Sequence, residues 1–234
     1  MTRLLLISNS TLFGRGYLDH AEEEIRRVLD GARTVLFVPW ALHDRDGYTA
    51  KARARLAAMG FDLTCTDEAA EPVREVERAE AVFIGGGNTF RLLKALYVSK
   101  ILRALRSRVA AGMPFVGSSA GSIVAGPTIR TTKDMPIVEP PSFEALGLVP
   151  FQISPHFLDP DPNSTHMGET QEERILQFHE ESDTPVAGLR EGAMLRVTDD
   201  SILLTGAVGA RILRRGQPPV EALPGAELSG LLSL

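Results

Sequence analysis

A single cysteine in 234 residues, Cys65, leaves nothing from which to build a disulfide framework, and its place in the strand-like FDLTCTD reads as a buried structural thiol. No apolar run approaches the roughly 20 residues needed to cross a bilayer, so a soluble chain with no membrane partner is expected. Positive charge is also short. Lys and Arg number 25 against 30 Asp and Glu, and a net charge of −5 argues against a general nucleic-acid surface. Neither H-x-x-x-H nor H-E-x-x-H occurs and the acidic residues are scattered, so no metal site and no cofactor are expected. Internal repeats, low-complexity segments and linkers are absent too, which favours one α/β domain over residues 1–234. The apolar run in MTRLLLISNS is shorter than a secretory core of about 7–15 residues. It reads as a first strand, and hence a cytoplasmic protein.

What is present alternates between two periods. Residues 3–7, 34–39, 81–84 and 114–116 are short continuous apolar runs, the pattern of strands covered on both faces, as in a parallel sheet. Helix-like stretches at 18–30, 48–59 and 89–111 separate them, and each stops at a glycine (Gly31, Gly60, Gly112) suited to a left-handed C′ position. This order implies right-handed crossovers and a doubly wound, mostly parallel sheet with helices on both faces. Residues 127–150 hold five prolines and read as an ordered loop over the carboxyl edge of the sheet. A strand at 151–154 and a helix at 169–182 follow. From 185 onward, VAGL, AMLRV, SILLTG, GARILRR and PVEAL suggest an antiparallel edge and a C-terminal hairpin.

Chemistry in such sheets gathers beyond the carboxyl ends of the strands. There, Gly117-Ser118-Ser119-Ala120-Gly121 follows an apolar run and precedes a small-residue segment, a G-x-S-x-G turn that can present Ser119 as a nucleophile. An ordinary phosphate or packing loop is the competing reading. Gly85-Gly86-Gly87-Asn88-Thr89 follows another run, and its free amides suit an oxyanion hole. Phosphate binding is weakened there because the stretch matches neither phosphate-loop pattern. Among the five histidines, His20, His43 and His179 lie in charged or polar stretches and read as solvated. His156, after FQIS, comes to the edge where Ser119 emerges and is the candidate base. His166, in a Pro/Asn/Ser-rich loop, is a pocket candidate. A carboxylate must then orient the imidazole, and spacing does not choose between Glu191 and Asp134.

These residues resemble the peptidase E family of aspartyl dipeptidases. The matching blocks are FIGGGNTFRLLK at 83–94, VGSSAGSIVAGPTIRTTKDMPIV at 116–138, SPHF at 154–157, GETQEERI at 168–175 and GLREG at 188–192. The resemblance implies a class I glutamine-amidotransferase-like fold and hydrolysis of dipeptides with an N-terminal aspartate. It also implies a Ser119-His156-Glu191 triad, with oxyanion donors from Gly86 or Gly87 and Ala120. Asp134 then becomes a pocket or loop-ordering carboxylate. Two departures stand out. Gln171 replaces an arginine that would suit a substrate carboxylate, leaving Arg130, Lys133 and Arg174 as cationic candidates. Ser118 stands where a larger residue often precedes the nucleophile, which would alter the pocket wall. A cyanophycinase-like or relaxed-specificity peptidase and a non-catalytic amidotransferase-like binding protein are the alternatives. The expected partner is a small peptide; the oligomeric state is left open, a homodimer included.

Overall fold

The computed structural model of the chain describes residues 2–163, 165 and 167–232; the pocket candidate His166 lies outside them. The four continuous apolar runs become β1 (Leu4–Ile7), β2 (Thr34–Val38), β4 (Ala81–Ile84) and β5 (Phe115–Ser118). With β3 (Asp62–Cys65), β8 (Ala193–Val197) and β9 (Ile202–Gly206) they form a seven-stranded sheet in the order β3-β2-β4-β5-β1-β8-β9. The first five strands run parallel, while β8 and β9 turn antiparallel at one edge. Burial on both faces explains the unbroken apolar runs. Leu4, Leu6, Leu36, Val38, Val82 and Ile84 face one core, which includes side chains of α4 (Thr89–Val98) and α5 (Ile101–Ala110). Leu5, Ile7, Val35, Phe37 and Phe83 face the other, against Ile25 and Val28 of α1 (Glu22–Val28) and Ala52 and Leu56 of α2 (Arg45–Ala58). A short α3 (Pro72–Arg78), opened by proline at its first turn, leads into β4.

Three expectations change. The stretch 89–111 is two helices, because Lys100 takes φ 62° between them; residues 18–30 likewise divide into a 3₁₀ turn over Asp19–Ala21 and then α1. The strand after the loop, β6 (Gln152–Ser154), does not join the central sheet. It pairs in parallel with β7 (Val186–Leu189) in a second sheet of order β11-β10-β7-β6, where β10 (Ala210–Leu213) runs antiparallel to both β7 and β11 (Val220–Ala222). The third concerns His179. On α7 (Gln171–Glu180) it is buried rather than solvated, with Nε2 against the Thr184 carbonyl at 3.1 Å, and burial lowers its pKa.

The loop over 127–150 is irregular but anchored: Ile129, Ala145, Leu146 and Val149 enter the core, and Arg106 Nε donates to the Leu146 carbonyl at 2.9 Å. The expected C′ glycines are in place, with φ 85° at Gly60 and 99° at Gly112. Just beyond β5 the chain touches the end of β4: a Cβ on Gly121 would lie 2.0 Å from the Ile84 carbonyl oxygen. Gly121→Ala is therefore expected to destabilise by about 3 kcal/mol or more, lowering Tm by about 6 °C or more in a chain of this size. Thermal unfolding checks this, and an unchanged Tm would show that the two segments have room to part.

Candidate active site

Three carboxyl ends meet where the two sheets abut. At the end of β5 the chain turns into the four-residue α6 (Ala120–Ile123) through Ser119, at φ 52° and ψ −110°. A non-glycine residue holds such a conformation only when its surroundings over-determine it. Here the Ser119 amide donates to the Ile7 carbonyl at 2.9 Å, and the Ser122 hydroxyl lies 2.8 Å from both the Ile7 and Gly117 carbonyls. Gly86 and Gly117 supply the remaining room, since a Cβ at either would meet Ser119 Cβ or the Gly121 carbonyl at 3.0 or 2.5 Å. Ser118 is fully buried and does not line the cavity in front of Ser119, so the pocket wall is not altered there.

His156 follows β6 and is also left-handed, at φ 51°. Its amide donates to Ser8 Oγ at 2.9 Å, and Ser8 in turn donates to the Leu189 carbonyl. Its carbonyl accepts from Lys133 Nζ at 2.9 Å and from Gln171 Nε2 at 3.1 Å. Clamped at both ends, the ring lies with Nε2 3.0 Å from Ser119 Oγ and Nδ1 2.7 Å from Glu191 Oε1. Glu191 stands in the β7–β8 turn. Arg190 fixes that turn by two-pronged contacts to both Asp159 and Glu221 at 2.6–2.9 Å, which hold the Asp159 carboxyl below its ordinary pKa. The Gly192 amide donates to Asn9 Oδ1 at 2.8 Å. Asp134 makes no hydrogen bond to His156: its Oδ2 accepts from the Thr89 amide and hydroxyl at 2.7 and 2.5 Å and from Thr132 Oγ1 at 3.1 Å, tying the loop to the start of α4.

A cavity of about 690 Å³ opens in front of these groups, lined by Ser119, His156, Gly86, Gly87 and Asp134 and by Tyr17, Tyr48 and Lys51. That is within the size of ordinary small-molecule sites. The Gly86 amide donates to Tyr48 Oη at 2.8 Å. The amides of Gly87 and Ala120 donate to no acceptor among the described residues. Gln171 does not line this cavity. Its amide braces the backbone after His156 from both sides, accepting from the Leu158 amide at 3.1 Å as it donates to the His156 carbonyl. Arg130 and Arg174 line a different cavity, with Arg130 over the Phe143 ring at 5.3 Å and Arg174 Nε 3.6 Å from Glu169.

A serine hydroxyl, an imidazole with its second nitrogen held by a carboxylate, and two nearby amides without an acceptor among the described residues form an arrangement for acyl transfer. A profile of peptidase family S51 matches residues 4–205. The chain is 54% identical over 231 residues to the peptidase E of Streptomyces coelicolor, covering 99% of this chain and 95% of that one. The chain belongs to peptidase family S51. It is also 46% identical to a Drosophila melanogaster protein named probable alpha-aspartyl dipeptidase, covering 98% and 97%. A crystal structure of a peptidase from an acI-B1 actinobacterium shares the fold at TM-score 0.72 and 18% identity, covering 97% of this chain and 96% of the other.

Sequence reasoning missed Ser8, Asn9, Tyr48 and Arg190. Ser8 and Asn9 alone carried a signal, as polar residues just past a carboxyl end of the sheet. Lys133, a cationic candidate by sequence, donates from its ammonium to the Pro155 and His156 carbonyls at 2.8 and 2.9 Å instead. Burial, reinforced by the nearby Arg174 charge, lowers its pKa to about 8, although Asp134 and Glu191 pull the other way. A folded-state pKa below the unfolded value means that the unfolded chain binds the proton more tightly between those pH values, so stability should rise with pH from about 8 to about 10.5. The Tm of the parent minus that of Lys133→Met is expected to increase across that window. A flat difference would count against a depressed amine.

Proposed function

We propose that this chain hydrolyses dipeptides with an N-terminal aspartate through an acyl-enzyme on Ser119. The observation that supports this best is the continuous contact from Ser119 Oγ through His156 to Glu191, with the serine in the left-handed turn. His156 carries its proton on Nδ1, donated to Glu191, so that Nε2 accepts the Ser119 proton. The freed oxygen attacks the aspartyl carbonyl carbon, and the Gly87 and Ala120 amides hold the resulting oxyanion. Gly86 is excluded from that role while its amide is engaged by Tyr48. His156 then protonates the leaving amine. A water repeats the sequence, giving its proton to His156 and its oxygen to the acyl carbon, and Ser119 is regenerated.

The same reading takes residues 1–234 as one domain of the class I glutamine-amidotransferase-like kind with a C-terminal antiparallel hairpin, supported by the parallel strands β1 to β5 and the β10–β11 pairing. All of the groups named come from one chain, so the reading holds for a monomer or a homodimer. A cytoplasmic location is compatible with the buried, unbridged Cys65.

Ser119→Ala is expected to cut kcat on Asp-Leu by at least about 10³-fold with an unchanged Tm. In a panel of Asp-, Glu-, Asn- and Ala-Leu with the parent enzyme, Asp-Leu should lead. A flat profile would instead indicate the relaxed specificity that Gln171 suggests, and preference for a β-aspartyl peptide would indicate the cyanophycinase-like reading. Glu191→Gln should lower kcat by about 10²-fold or more with KM little changed, and Asp134→Asn should cost less. A larger kcat loss for Asp134→Asn would move the third member of the triad.

A further inference from the structure

An acidic dipeptide brings one ammonium and two carboxylates into the site at neutral pH. Among the described residues whose side chains line the Ser119 cavity, only His156 and Lys51 are basic. His156 is engaged at both ring nitrogens. The other cations of the neighbourhood are spent or displaced: Lys133 donates to two backbone carbonyls, while Arg130 and Arg174 face a separate cavity. Gln171 is neutral, and its amide is committed to the backbone after His156. Two incoming carboxylates therefore find one uncommitted positive charge among the described residues of this cavity.

Lys51 is well placed to supply it. It lies one helical turn beyond Tyr48 on α2, on the face that Tyr48 turns toward the glycine turn and Ser119. Its ammonium sits 4.7 Å above the Tyr17 ring, and Tyr17 approaches Tyr48 with hydroxyls 3.5 Å apart, so the charge is held over the cavity wall. No carboxylate pairs with it among the described residues. A charged lysine that rests on a ring keeps its three donors for a ligand.

We propose that Lys51 binds a substrate carboxylate in the Ser119 cavity, either the aspartyl side chain or the C-terminal carboxylate of the dipeptide. This rests on the reading of the cavity as a site for aspartyl dipeptides. The parent, Lys51→Met and Lys51→Arg are compared on Asp-Leu, Asp-Leu amide and Asn-Leu, the last also read as a competitive inhibitor where turnover is slow. Lys51→Met is expected to raise KM for Asp-Leu about tenfold or more with kcat within about twofold, and Lys51→Arg to recover most of the loss. If the C-terminal carboxylate is the partner, the methionine variant handles Asp-Leu amide like the parent. If the aspartyl carboxylate is the partner, the amide shows the same rise and Asn-Leu shows none. Equal losses on all three substrates, no loss on any, or no recovery with arginine would each overturn the role of Lys51 alone. A parent enzyme inert to every aspartyl peptide would overturn the function and this inference together.

Discussion

The site depends on a contact that no side chain can enter: the elbow at Ser119 lies directly against the end of β4. Gly121 rests on the Ile84 carbonyl, Gly117 on Gly121, and Gly86 on Ser119 itself, with a Cβ at each falling 2.0, 2.5 and 3.0 Å from its neighbour. This proximity places the Gly85–Gly87 turn beside the serine. The left-handed serine costs on the order of 1–3 kcal/mol, which the hydrogen bond from its amide to the Ile7 carbonyl and the Ser122 hydroxyl help to offset. Small residues in two separate sequence blocks thus answer one packing requirement.

Around that contact, the two sheets divide the work. The central sheet delivers Ser119 and the glycine turn, and the second delivers His156 and Glu191 from the adjacent parallel strands β6 and β7. Ser8 bridges them. Although it follows the central strand β1, its hydroxyl donates to the Leu189 carbonyl of β7 and accepts from the His156 amide. A polar residue with no exposure sits there because it satisfies buried backbone groups of the other sheet at their junction.

The parts of this arrangement that were legible in the sequence are those written in local pattern. Four continuous apolar runs marked parallel strands, and a G-x-S-x-G turn after one of them marked the serine. What was not legible depends on contacts across the fold. The residues from Thr89 to Ala110 keep a helical period throughout and contain neither glycine nor proline, so nothing local announces the break at Lys100. The four buried residues 151–154, with apolar Phe151 and Ile153 among them, fit either sheet, since burial in a second sheet produces the same pattern as burial in the first. Tyr48 reads as a helix residue. Its task comes from a glycine turn far along the chain, where Gly85 leaves just enough room for the ring.

Gln171 shows how a change of residue type can change the job of a position. A side-chain amide both donates and accepts, and here it does both, closing on the His156 carbonyl and the Leu158 amide. Arginine, the residue that the family resemblance leads one to expect, has only donors. It could not accept from Leu158, and its charge would stand beside Lys133, an amine already shifted downward by burial and by Arg174. Adding a third cation there would depress Lys133 further and weaken its charge-assisted hold on the His156 carbonyl. With glutamine, the left-handed His156 keeps two donors on its carbonyl at no added repulsion. The position stabilises the backbone at His156, and on the proposed reading any recognition of substrate charge has to come from elsewhere in the cavity.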